Sequence, residues 1–159
     1  MTKKLTKIGV NPDFQELSSF VHELPTVFET GGKVIYKGRN ELKEFDVEDK
    51  KLIVKSYQLP HLLNRIIYNF FRASKAERSY SYALMLRKLG IGSPAPVGYY
   101  STGSWLLFGR SYFVCLKSDC PYTYRDFEKT VFPNQEQIIR AIALTTALLH
   151  ENGLLHKDY

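Results

Sequence analysis

Apolar and polar positions trade places along this chain in two rhythms, and the switch between them marks its elements. Lys33 to Tyr36 is β-branched and aromatic, Leu42 to Val47 alternates apolar with polar, and Lys51 to Tyr57 reads KLIVKSY. Turn signals at Lys37-Gly38-Arg39-Asn40 and Glu48-Asp49-Lys50 separate these runs, so three short antiparallel strands are predicted. The rhythm then lengthens. Leu62 to Leu89 reads as helix, bent around Arg72 to Lys75, and its second part carries Ser79, Tyr82, Ala83, Leu86 and Leu89 at three- and four-residue steps. Gly90 is a helix stop, and Pro94 and Pro96 forbid continuation. Two more strands are predicted over Val97 to Ser101 and Arg110 to Leu116, with a turn beginning at Thr102-Gly103-Ser104. A short polar helix over Tyr122 to Lys129 follows, then a long one over Gln135 to His150 that is apolar around much of its girth. Ahead of all this, Phe14, Leu17, Val21 and Leu24 recur at helical spacing, which predicts a lead-in helix over Asp13 to His22.

Composition narrows the class. With 44% apolar and 14% aromatic residues in 159, the chain has the material for a packed core, which argues against disorder throughout. A net charge of +6 favours anionic partners without naming one. No helix-turn-helix, RNA-recognition or zinc pattern accompanies that charge, so no nucleic-acid partner is expected. Cys115 and Cys120 lack a second Cys or His pair at metal-ligand spacing, and neither a metal site nor a disulfide framework is expected. The N-terminus is basic without an apolar signal region, and no apolar run reaches spanning length; a cytoplasmic location is the expectation.

Two places suggest chemistry. Lys55 sits among β-branched residues on the third strand, where a lysine alone is more often a solvated edge residue. The end of the chain, LLHENGLLHKDY, resembles the protein-kinase catalytic loop, in which Leu-His, Gly, two apolar residues and His-x-Asp follow an apolar helix. That resemblance implies that Asp158 accepts or orients the proton of the attacking hydroxyl and that His156 packs beneath the loop. It implies that Lys55 meets the nucleotide's α- and β-phosphates. Gly38 and Arg39, in the turn between the first two strands, then stand where a phosphate-covering loop belongs. One glycine is not GxGxxG, and a plain hairpin turn accounts for the same residues.

The stretches SKAERSYSYALMLRKLGIGSPAPVGYY and LLFGRSYFV, with the terminal motif, resemble the lipopolysaccharide core heptose and Kdo kinase family, over roughly residues 30 to 159. The resemblance implies an α+β, protein-kinase-like small lobe, with a five-stranded antiparallel sheet plus a helix, followed by the first helices of an incomplete large lobe. It divides the chain into a lead-in segment (1–30), the small lobe (31–118), and the hinge with the start of the large lobe (119–159). It implies ATP-dependent phosphorylation of a sugar hydroxyl of the lipopolysaccharide inner core at the inner membrane, with Mg²⁺ accompanying the nucleotide.

Two departures qualify it. The helix position that bears a Glu in related kinases falls at or near Ser79, and the nearest acid is Glu77, which lies about 200° away around a helix at 100° per residue. Glu77 is therefore the candidate partner of Lys55, or else a solvated surface residue. The pattern also expects an Asn five residues after Asp158 and a later Asp to hold the metal ions, and neither falls within these residues. The chain reads as the front part of a kinase, cut after its catalytic-loop Asp, with no turnover expected of the fragment and self-association expected through its apolar last helix. Three alternatives remain: a pseudokinase-like nucleotide-binding module, a kinase of the same fold acting on protein Ser/Thr or a small molecule, and a basic protein lying on an anionic membrane through LLNRIIYNFFRASKAER.

Overall fold

The computed structural model describes residues 4–58, 73–104 and 108–155. It divides into two compact units, Met1–Ser118 and Asp119–Tyr159. The first is built on one antiparallel sheet of six strands: β1 (Lys4–Val10), β2 (Lys33–Lys37), β3 (Glu41–Val47), β4 (Lys50–Tyr57), β5 (Pro96–Ser104) and β6 (Phe108–Leu116), in the order β1-β5-β6-β4-β3-β2. The five strands predicted from the pattern are present. β5 runs on through Thr102-Gly103-Ser104, where a turn was expected, because those residues stay paired with β1 from Thr6-Thr102 to Lys4-Ser104.

Strand alternation assigns the two faces. On β4, Leu52 and Val54 are fully buried, and they face the same way as Phe45 on β3 and Tyr112 and Val114 on β6. This face is covered by the segment after β1. The predicted single helix over Asp13 to His22 is instead a 3₁₀ turn (Pro12–Leu17) leading into α1 (Ser18–His22), with α2 (Leu24–Thr30) beyond it. The helical path breaks at Phe14, whose φ of -134° and ψ of 39° are not helical, while Pro12 and Pro25 each start a turn, where a missing N–H costs nothing. Leu17, Val21, Leu24 and Phe28 descend from these turns into the core. Phe28 meets Tyr112 at a centroid distance of 5.3 Å and Phe20 meets Phe45 edge-on at 5.5 Å.

Polar anchors fix this cover to the sheet. The buried Asn11 donates from Nδ2 to the Pro96 carbonyl at 2.8 Å, and its backbone N–H donates to the Val97 carbonyl at 2.8 Å. Lys43 Nζ closes the C-terminal end of α2 by donating to the carbonyls of Phe28 at 2.5 Å and Gly31 at 3.1 Å. Arg110 and Glu29 form an ion pair. Close backbone approach decides Gly98: a Cβ there would lie 2.6 Å from the Gly9 carbonyl oxygen and 3.2 Å from Val21.

The opposite face carries α3 (Lys75–Lys88), which packs on β5 and β6. Ser74 caps it by accepting from the Glu77 N–H at 3.0 Å, and Gly90 ends it with a φ of 73°. Its buried residues are Ala76 and Ala83, whereas Tyr82, expected on the packed stripe, is 52% exposed. Two small residues set the phase of the helix against the sheet, and the larger apolar ones fall to its sides.

In the second unit α4 (Tyr124–Lys129) begins with a capping box, in which the Thr123 N–H and hydroxyl both donate to Asp126 Oδ2 at 2.7 Å. α5 (Gln135–Glu151) follows, with Leu149 buried and Leu144 72% exposed. Among the described residues no helix is long and apolar enough to cross a membrane.

Candidate functional site

Lys55 follows from strand register. It sits directly opposite Leu42 of β3 and Phe113 of β6, on the face that carries α3 and opposite to the aromatic core. Its ammonium lies 5.2 Å from the centroid of the Tyr57 ring, two residues along the same strand face. Tyr57 in turn reaches the helix, its hydroxyl 2.6 Å from Ser79 Oγ. Burial raises the Tyr57 hydroxyl above the ordinary phenol range, with the Ser79 hydrogen bond pulling the other way. A neutral hydroxyl of the helix thus meets the strand that carries Lys55.

Burial raises the Tyr99 phenol above its ordinary range, and the charge of Glu77 on α3 adds to that rise. Glu77 makes no ion pair with Lys55 among the described residues. Its Oε2 is buried with no hydrogen-bond partner among the described residues. Among these residues no carboxylate lies within salt-bridge distance of Lys55.

The β2–β3 turn carries Gly38 and the exposed Arg39. Gly38 donates to the Asn40 carbonyl at 3.0 Å, and the Gln58 N–H donates to Asn40 Oδ1 at 3.3 Å, which ties this turn to the far end of β4. A Cβ on Gly38 would meet only the tip of Tyr36, 2.5 Å away at the hydroxyl of a side chain that is 56% exposed. The turn itself tolerates a larger residue there.

Two cations that periodicity alone assigned to a basic amphipathic stretch, Lys75 and Arg78, belong to this neighbourhood. Burial pushes the Lys75 ammonium below the usual lysine range, and the positive charges of Arg39, Arg78 and Lys55 push it further. Arg78 Nε is buried without a hydrogen-bond partner among the described residues. No periodic signal pointed to these residues as a set, because their meeting depends on helix phase and on the turn pinned by Asn40. Beneath them, burial pushes the Cys115 thiol up to about 11 while Lys55 pulls it down.

Asp158 and His156 lie outside the described residues, as does most of the LLNRIIYNFFRASKAER stretch. No group of three or more His, Cys, Asp or Glu able to hold a metal ion occurs among the described residues.

No protein-family profile matches the chain, and no curated protein matches it. A solved structure described as "WaaP in complex with acyl carrier protein" is similar, with a TM-score of 0.58 and 15% identity over 91% of this chain and 56% of that one. This chain therefore spans little more than half the length of that protein. At such identity the likeness speaks to fold, and the fold is mixed α and β with an antiparallel sheet, of the protein-kinase-like kind.

Proposed function

We propose that this chain is the nucleotide-binding part of an ATP-dependent kinase that phosphorylates a sugar hydroxyl of the lipopolysaccharide inner core. One observation carries the nucleotide reading: Lys55 stands on the strand face that meets α3, in a kinase-like sheet, without a carboxylate partner among the described residues. An unpaired cation set among Arg39, Lys75 and Arg78 suits the phosphates of a nucleotide.

The acceptor reading rests on the sequence resemblance to lipopolysaccharide core kinases, and the likeness to WaaP, itself a lipopolysaccharide core heptose kinase, supports it. In this reading Asp158 acts on the acceptor hydroxyl, His156 holds its loop, and Gly38 and Arg39 lie over the phosphates. Mg²⁺ arrives with ATP and takes its protein ligands from outside the described residues. Work on a lipid-linked glycan places the protein at the cytoplasmic face of the inner membrane, where its positive charge favours anionic lipid.

A second reading, a nucleotide-binding module without catalysis, is favoured by one feature: Ser79, not an acid, faces the Lys55 strand. Thermal melting with Mg²⁺-ATP, followed by a phosphate-transfer assay on deacylated inner-core oligosaccharide, separates the two. A raised Tm is expected of both readings. A chain extending past Tyr159 that transfers phosphate supports the kinase, transfer by these residues alone is not expected, and an unchanged Tm overturns both.

A further inference from the structure

The side chains around Lys55 pose an electrostatic problem that the kinase reading alone does not solve. In that fold the helix beside the strand lysine is expected to offer it an acid. Here the same stretch offers cations. Lys75 stands four residues before Ser79 and so on the same side of α3, one turn nearer its start. Ser79 is fixed against Tyr57 at 2.6 Å, and Tyr57 stacks under Lys55 at 5.2 Å. The Asn40 to Gln58 bond brings the Arg39 turn to the same end of β4. Four positive groups from three elements therefore converge.

We infer that Lys75 and Arg78 join Lys55 and Arg39 in a cradle for a polyphosphate, so that α3 meets the phosphates directly instead of holding Lys55 through an acid. The inference rests on the nucleotide reading above and deepens it. Several facts point the same way. Among the described residues none of the four cations has a carboxylate within salt-bridge distance, although Lys50, Lys51, Lys117, Arg110 and Arg140 all do. The buried, unpartnered Nε of Arg78 is a donor lacking an acceptor, which a phosphate oxygen supplies. Burial depresses the Lys75 ammonium first, and the like charges of Arg39, Arg78 and Lys55, which an anion relieves, add to it. The helix N-terminus is not the attracting group, since Ser74 Oγ already accepts from its Glu77 N–H. Glu77, the nearest acid in sequence, adds its charge at Tyr99.

A chain of two or three phosphoryl groups fits four spread cations better than a single phosphate does. Nucleotide triphosphate and free tripolyphosphate share this chemistry, and the test separates them. Titration calorimetry on the full chain, metal-free in EDTA, would use ATP, inorganic tripolyphosphate and adenosine as probes. Lys75→Met and Arg78→Met should each weaken ATP and tripolyphosphate about tenfold, the loss of one charge-assisted hydrogen bond, and leave adenosine unchanged. Lys75→Arg should keep the affinity and serves where Lys75→Met fails to fold; Lys88→Met, at the far end of α3, should have no effect.

Full affinity in the Lys75→Met, Arg78→Met double variant, with loss in Lys55→Met, overturns the cradle and leaves the nucleotide reading standing. Tripolyphosphate bound as tightly as ATP, and lost with Lys75 and Arg78, supports the cradle and removes the nucleotide reading. Failure of either polyphosphate to bind overturns the cradle.

Discussion

The two faces of the six-stranded sheet are made from the same strands and do opposite things. One is covered by α1, α2 and the 3₁₀ turn, and its residues Leu52, Val54, Val97, Tyr112 and Val114 are buried almost completely against Leu17, Val21, Leu24 and Phe28. The other is covered by α3 through two alanines, and between helix and sheet stand Lys55, Tyr57, Ser79, Arg78 and Cys115. The first face closes on itself with apolar and aromatic side chains, the buried Tyr112 hydroxyl being its one unpartnered polar atom among the described residues. The second leaves Lys55 without a carboxylate within salt-bridge distance and the Arg78 Nε donor without an acceptor among those residues, which is how a face kept for a ligand differs from a face kept for stability.

The comparison is broken most severely on the apolar side. Leu24→Ala should cost about 2–5 kcal/mol, because Leu24 is fully buried and Lys43 pins the C-terminal end of α2, which limits collapse into the void. Urea unfolding monitored by far-UV circular dichroism measures it, and a loss below half the lower bound would mean that the N-terminal cover contributes little. Asn11→Ala should cost about 1–3 kcal/mol in the same experiment, since it strands the Pro96 carbonyl at a buried site.

A subtler difference lies in pH. The Cys115 thiol rises from 9.0 to about 11 through burial, so the folded state holds its proton longer than the unfolded chain does. The stability this provides is present in full below pH 9.0 and is lost as the pH climbs toward about 11. In a Cys120→Ser background, thiol labelling should be slow at pH 8 and accelerate above pH 10, with Lys55→Met delaying that rise. Fast labelling at pH 8 would place Cys115 in an open environment.

The strands from β2 to β6 were legible because turn residues bound them and each carries β-branched or aromatic residues, or an apolar-polar alternation. β1 was not: only Ile8 and Val10 reach the core, and the strand exists because it pairs with β5, some 90 residues on in sequence. The lead-in helix was read from apolar spacing that is real, since Leu17, Val21 and Leu24 do reach the core, but the non-helical backbone at Phe14 breaks the segment into a 3₁₀ turn and a short helix. Lys55 was legible as a strand lysine in a recognisable order of elements. The gathering of Lys75 and Arg78 around it was not, because Ala76 and Ala83 set the phase of α3, and Tyr82 misleads any reading that expects the larger residues inward.

The central claim is that the polar face binds a nucleotide's phosphates at Lys55. An acyl-phosphate derivative of ATP, which acylates the lysine nearest its phosphates, tests it most directly when followed by peptide mass spectrometry of the full chain. The account predicts acylation at Lys55 and Lys75 that excess ATP suppresses, with Lys33 and Lys88 unlabelled above background. Labelling spread over the exposed lysines and indifferent to ATP would contradict it.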